Sequence, residues 1–251
     1  MKSRSEKFLC SVTFILLFSF INSNVFAVAK FGTLCQKVYE WVPEWEHYWQ
    51  DSLDEAYVHC GRFIDELNDT DESVFYYDLI NMKPYIEDTY DDIIADHVDL
   101  LYILTHGGVT NTDARWAMWN KFTNALSSQM RLGDDDRKLQ ILVSCSCHTL
   151  QTDGLIARWR SIFRGGLKYA LGSHDIIHMG KNENECGKEF ADNLQDGDKF
   201  KYAWKDAFNE PFSENVVIAV STGNTESECE DRRDLMKWQN FGPNFGRLRD
   251  S

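Results

Sequence analysis

Apolar positions along the chain change period several times, and each change predicts an element. Leu53, Ala56, Cys60, Phe63, Ile64 and Leu67 recur at three- and four-residue spacing, which predicts an amphipathic helix over 52–67. Ser73-Val74-Phe75-Tyr76-Tyr77 is rich in β-branched and aromatic residues and reads as a strand. Asp99 to Leu104 and Leu139 to Val143 are short, nearly continuous apolar runs, the pattern of strands buried on both faces. Gly166 to Gly172 reads as a third such strand and Val216 to Val220 as a fourth buried one. Helical periodicity fills the intervals at 114–130, 154–163, 187–195, 199–208 and 229–239. Apolar strands alternating with amphipathic helices predict an α/β fold: one mostly parallel sheet covered by helices on both faces. No repeat, low-complexity tract or Pro/Gly/Ser linker interrupts the pattern, and one domain over 28–251 is the economical reading. In such sheets ligands bind at the carboxyl ends of the strands.

The first 27 residues have a different pattern. Lys2, Arg4 and Lys7 precede an uncharged apolar run from Phe8 to Ile21, and Val25-Phe26-Ala27 supplies small residues at its end. This is the arrangement of a secretory signal peptide. The apolar run is shorter than the ~20 residues that a bilayer core requires, so cleavage is expected rather than anchoring. The product would be secreted or periplasmic, with no membrane attachment after cleavage. Loss of residues 1–27 removes three basic residues and one acidic residue (Glu6), taking the formal charge from −14 to −16. Such a surface excludes nucleic acid as a partner, because phosphate binding needs a basic patch. Of seven cysteines, Cys10 lies in the leader. The other six, Cys35, Cys60, Cys145, Cys147, Cys186 and Cys229, permit disulfides in an exported chain; Cys35–Cys60 and Cys186–Cys229 are the pairings to test.

Two strand ends carry candidate chemistry. One apolar run leads into Thr105-His106-Gly107-Gly108, the next into Ser144-Cys145-Ser146-Cys147-His148-Thr149. A thiolate is a strong nucleophile, and a nearby imidazole lowers the thiol pKa or takes its proton. Glycine allows close backbone approach to a ligand, and the Gly107 N–H is a candidate oxyanion donor. Cys147, His106 and Gly107 are therefore the candidate catalytic residues. Gly108, Ser146, His148 and His174 are candidate binding residues, His174 because it follows the third strand end. The alternatives are a structural histidine, a cysteine buried as a small hydrophobe, or a disulfide between Cys145 and Cys147. Cys145 is expected to pack beneath the site.

Leu100 to Leu104 before His106-Gly107, and Ile141-Leu142-Val143 before Ser146-Cys147, resemble the signature of the caspase-like cysteine peptidases, which include caspases, metacaspases, legumain and gingipain. Ser146-Cys147-His148-Thr149 looks like the Ser-Cys-His-Ser version found in metacaspase-like members. Trp159 and Ala203-Trp204 are similar to features of a less characterised bacterial branch. The resemblance spans about residues 73–223 and implies a caspase-like three-layer sandwich. It implies a polypeptide substrate and a Cys147–His106 dyad acting through an acyl-enzyme, with no cofactor. The sequence departs from the pattern at Cys145, where the family usually has an acidic residue, at Thr105, and at Thr149-Leu150. The alternative function on the same fold is a secreted, non-catalytic binding or structural domain.

Other features admit blander readings. Cys145, Cys147, His148 and His106, with His174 and His178, include thiolate and imidazole groups of the kind zinc takes, but lack a second Cys/His cluster. Asp91-Asp92 and Asp134-Asp135-Asp136 lack the ligand spacing of a calcium loop. Trp41, Trp45 and Trp49 form one helical stripe suited to packing, and Asn68-Asp69-Thr70 fits a glycosylation acceptor. The export reading has a direct check. N-terminal sequencing of the secreted protein is expected to begin near Val28, and soluble protein that retains Met1 would overturn it.

Overall fold

The runs Leu100–Leu104 and Ile141–Cys145 are completely buried strands lying side by side. The structure is a computed structural model that describes residues 30–35, 56–68, 73–78, 95–117, 124–133, 139–177, 186–208 and 217–237. The leader, the Trp41/Trp45/Trp49 stripe, both acidic runs and His178 lie outside these residues. In chain order the elements are β1 (Lys30–Cys35), α1 (Ala56–Asn68), β2 (Ser73–Asp78), β3 (Leu100–Leu104), β4 (Gly107–Val109), β5 (Ala114–Ala117), β6 (Asn124–Leu126), β7 (Ile141–Cys145), α2 (Leu155–Gly165), β8 (Tyr169–Ser173), α3 (Cys186–Gln195), α4 (Phe200–Asp206), β9 (Val217–Ser221) and α5 (Glu226–Leu235). The main sheet runs β2-β1-β3-β7-β8-β9. All its pairings are parallel except β8 with β9. The mixed α/β fold with a mostly parallel sheet is therefore as expected.

Because strand side chains alternate between faces, the buried strands feed two cores. Phe31, Leu100, Tyr102, Leu104 and Val143 pack on one side with α1, α3 and α4. Phe63 stacks on Tyr102 with ring centroids 4.7 Å apart, and Trp204 meets Phe208 edge-on at 4.6 Å. Leu101, Ile103, Leu142 and Ala170 pack on the other side with Trp159 and Ile162 of α2 and Trp116 of β5. Helix α5 buries no residue. Local chemistry sustains it instead: the Thr225 hydroxyl accepts the Glu228 N–H at 3.1 Å, and Arg232 pairs with Glu228 one turn away at 2.8 Å, a capping arrangement that satisfies exposed helix-end donors.

Several expectations are corrected. The described residues of 114–130 do not form a helix. They hold β5 and β6, which with β4 make a small antiparallel sheet, and a 3-10 turn at Ser127–Gln129. Thr110 makes the turn: its hydroxyl accepts the Asp113 N–H at 2.9 Å, and its own N–H reaches the Asp113 carbonyl at 2.7 Å. Such local side-chain bonds compete with helix. The buried Asp113 carboxylate then accepts the Ser128 N–H at 2.9 Å. Burial pushes this carboxyl up, but hydrogen bonds from Ser128, Thr112 and Ser127 outweigh burial and hold it below its ordinary value. Val217–Ser221 is not a strand buried on both faces. It is the half-buried antiparallel edge of the sheet. Gly166, with φ of 125°, closes α2 rather than opening β8. The pattern gave no hint of β1, which lies centrally between β2 and β3. No helix among the described residues is long and apolar enough to cross a membrane.

Two glycines test this packing in opposite directions. A Cβ on Gly165 would lie 2.0 Å from the Arg131 carbonyl oxygen, so Gly165→Ala is expected to destabilise by about 2–3 kcal/mol through backbone displacement. A Cβ on Gly61, within α1, meets nothing within 4 Å, so Gly61→Ala is expected to stabilise by about 0.5–1 kcal/mol. Chemical denaturation of both variants checks the pair of signs.

Candidate active site

Parallel pairing carries two chains toward the same sheet edge. Leu104 of β3 is registered with Cys145 of β7. Two residues further on each chain come His106 and Cys147, both half-buried. The next strand, β8, is registered with β7 and releases His174 at the same edge. Three adjacent strands thus deliver three of the residues singled out from sequence to one carboxyl edge, where α/β sheets bind ligands.

The chains touch beyond the strands. A Cβ on Gly107 would lie 2.5 Å from the Cys147 carbonyl oxygen, 2.7 Å from Ser146 Cβ and 2.9 Å from Cys147 N. Only glycine permits this approach. Gly107 pairs with Trp116, and the His106 carbonyl accepts the Ala117 N–H at 2.8 Å. That geometry makes Gly107–Trp116 a non-hydrogen-bonded pair, so the Gly107 N–H points away from β5. Gly108, buried, follows opposite Arg115 in β4. Thr105, which precedes the histidine, donates its hydroxyl to the Ala117 carbonyl at 2.6 Å. It anchors the small sheet at the point where the chain leaves β3.

Beneath Cys147 the polar groups of Ser144 and Thr149 are paired. Trp116 donates its indole N–H to Ser144 Oγ at 2.8 Å; Ser144 and Thr149 hydroxyls are 2.9 Å apart; and Trp159 donates its indole N–H to the Thr149 carbonyl at 2.7 Å. Trp204, from the opposite face, donates to the Gly172 carbonyl at 3.1 Å. The indoles of Trp159 and Trp204 therefore hold the backbone around two strand ends. Ser146 Oγ is buried without a hydrogen-bond partner.

The segment 173–177 forms the other wall. Ser173 accepts the Leu150 N–H at 2.9 Å and Asp175 accepts the His148 N–H at 3.0 Å through their carbonyls. His148 adopts φ of 58°, a left-handed conformation uncommon outside glycine. Its Nδ1 lies 3.2 Å from the His174 carbonyl and 3.9 Å from an Asp175 carboxylate oxygen. His174 Nδ1 accepts the Thr152 N–H at 3.1 Å. Both histidines are thus tied to the wall that frames Cys147. The Cys147 sulfur accepts the Ile177 N–H at 3.3 Å and faces the Ile177 carbonyl at 3.8 Å. Asp175 and Ile177 were not singled out from sequence: no motif marks them, and only the fold brings them to the thiol. Burial pushes the Cys147 thiol above its ordinary value; the Ile177 N–H opposes this, and the Asp175 charge adds to it.

Cys145 is buried in the core, as expected, with its sulfur 3.7 Å from that of Cys186. All six described cysteines are free thiols, and the sulfur neighbour of Cys186 is Cys145 rather than Cys229. Among the described residues no three His, Cys, Asp or Glu side chains converge as a metal set. Cys145 turns toward Cys186 in the core while Cys147 faces Ile177, so the two sulfurs do not point to a common site; His178 of the zinc reading lies outside the described residues.

Residues 40–244 match a family model described as "Domain of unknown function (DUF6345)". The chain belongs to the DUF6345 family. The matched span contains every candidate residue and all described elements except β1. No curated protein matches the chain. In this DUF6345 domain, alkylation of Cys147 is expected to be slow at neutral pH. It should accelerate about tenfold per pH unit until the raised pKa is passed, which iodoacetamide kinetics read by peptide mapping will check. A rate that is flat from neutral pH upward would contradict a protonated resting thiol.

Proposed function

We propose that this DUF6345 domain is an exported cysteine peptidase of the caspase-like type, cleaving polypeptides through a Cys147–His106 dyad. The observation that carries the proposal is the register: His106 and Cys147 each stand two residues beyond the paired Leu104 and Cys145. The close packing of Gly107 on the Cys147 backbone adds to it. In this reading His106 takes the proton of Cys147 as the sulfur attacks the scissile carbonyl. The Gly107 N–H stabilises the oxyanion, and His106 returns the proton to the leaving amine as the C–N bond breaks. Water, deprotonated by His106, then cleaves the thioester. The mostly parallel sheet covered on both faces is compatible with a caspase-like sandwich. Gly108, Ser146, His148 and His174 would shape the substrate cleft. The apolar leader of residues 8–21 supports export to a secreted or periplasmic location.

One observation favours the second reading, a non-catalytic binding domain: the Cys147 sulfur is engaged by the Ile177 backbone, and burial keeps its proton on. A thiol-reactive peptidyl probe separates the two. Under the peptidase reading, labelling maps to Cys147 and is lost in His106→Ala. Cys147→Ala then abolishes peptide hydrolysis while costing well under ~2 kcal/mol, because a half-buried thiol contributes little packing. A folded, reduced protein that takes no label, or a Cys147→Ala protein that is clearly destabilised yet hydrolyses peptide like the parent, would overturn it.

A further inference from the structure

Behind the candidate site lies a buried group of thiols that the proposed chemistry does not use. Cys35 of β1, Cys60 of α1, Cys145 of β7 and Cys186 of α3 all belong to one core cluster and are essentially without solvent contact. Cys145 and Cys186 stand with sulfurs 3.7 Å apart, and the Tyr102 hydroxyl lies 3.7 Å from Cys186. The sulfurs lie at contact distance, although Cys145 and Cys186 are 41 residues apart in sequence.

The two thiols have unlike surroundings. Cys186 is the first residue of α3, where unpaired helix N–H groups and the helix dipole favour a thiolate. Hydrogen bonding from Cys145 lowers the Cys186 thiol most, and the Tyr102 hydroxyl and the Gly187 N–H lower it further, against burial. Cys145 is pushed up, first by that same hydrogen bond to Cys186 and then by burial. A dithiol with one activated and one protonated sulfur is suited to thiol–disulfide exchange.

We propose that Cys145 and Cys186 are a redox pair that closes to a disulfide during folding in an oxidising compartment. A low-molecular-weight disulfide is the oxidant. The Cys186 thiolate attacks one sulfur of it, releasing the first small thiolate. Cys145, losing its proton, then attacks Cys186 Sγ and expels the second. One protein S–S bond forms, two protein thiol protons are lost, and the oxidant takes up two electrons to become two thiols. The bond encloses the chain from Cys145 to Cys186, the stretch that carries Cys147, His148, His174, Asp175 and Ile177. Both walls of the candidate cleft are thereby fastened to one covalent ring. The pair does not depend on Cys147 being a nucleophile.

The test uses the full chain, unfolded and refolded in buffers of reduced or oxidised glutathione so that burial does not limit access. Free thiols are alkylated, and fragmentation separates Cys145 from Cys147. In the oxidised arm a Cys145–Cys186 bridge is expected, with Cys147 still alkylated and the melting temperature raised by about 5–10 °C over the reduced arm. The bridge and the shift should both vanish in Cys186→Ser. Recovery of Cys145 and Cys186 as free thiols in the oxidised arm, a bridge from Cys145 to Cys147, or a mapped bridge without a thermal shift would overturn the proposal. Mapping of the unsubstituted chain decides the connectivity even if Cys186→Ser does not fold. Peptidyl-probe labelling of Cys147 is scored separately, so a failure of the peptidase reading leaves this result intact.

Discussion

The register between β3 and β7 is the constraint on which the candidate site depends. Both strands are buried along their whole length, so each presents side chains to two cores at once. A slip by one residue would send every side chain to the opposite face. Tyr102, which stacks on Phe63 in one core, would then have to fit against Trp116 and Trp159 in the other. The cost of that misfit holds the register, and the register sets Leu104 level with Cys145, two residues before His106 and Cys147 on their chains. The chemistry at the edge is therefore fixed by apolar packing in the middle of the sheet.

Beyond the last registered pair, hydrogen bonds take over the positioning. The segment 144–150 leaves the sheet into a tight series of turns, and its polar groups are buried. Unpaired, each would cost roughly 1–3 kcal/mol. Trp116, Trp159, Ser144 and Thr149 form a linked set that meets this demand from two separate elements. The indoles thus serve twice, as core volume and as donors around Cys147, Trp116 to the Ser144 hydroxyl and Trp159 to the Thr149 carbonyl. On the outer side the partners are more exposed: Asp175 and His174 border solvent. The inner side of this segment is thus buried and hydrogen-bonded, while its outer side borders solvent.

The sequence was informative where one physical signal dominated. Runs such as Leu100–Leu104 were readable because burial on both faces leaves only apolar residues. His106 and Cys147 stood out because reactive side chains directly followed such runs. The 114–130 stretch misled because its apolar spacing suits a helix, whereas the Thr110–Asp113 turn and the Asp113 carboxylate commit it to antiparallel strands through contacts that spacing does not register. β1 was hidden for a related reason: six residues, one of them glycine, give too little pattern, and its central place comes from partners on both sides. Ile177 and Asp175 were beyond reach, since only the turn after β8 brings them to the thiol. The Cys186–Cys229 pairing met the same limit: the neighbour of Cys186 is set by where α3 lies against the core, which brings its sulfur to Cys145.

The resting state of Cys147 bears on how such a site would react. Burial and the Asp175 charge both oppose ionisation, and the backbone N–H groups of Ile177 and of Cys147 itself do not compensate. The protonated thiol is therefore favoured before a ligand arrives. If Cys147 attacks a carbonyl, the proton must leave the sulfur as the new bond forms, and the group that takes it must already be in place. In that case the position of His106 at the neighbouring strand end matters more than the resting charge of the thiol. A ligand that displaced the Ile177 contacts would remove one of the two N–H groups now favouring the thiolate; as the sulfur bonds to the carbonyl carbon, the negative charge passes to the carbonyl oxygen, where a hydrogen-bond donor would stabilise it. Under the proposed reading that donor would be the Gly107 N–H, which points away from β5 at the place where Gly107 packs on the Cys147 backbone.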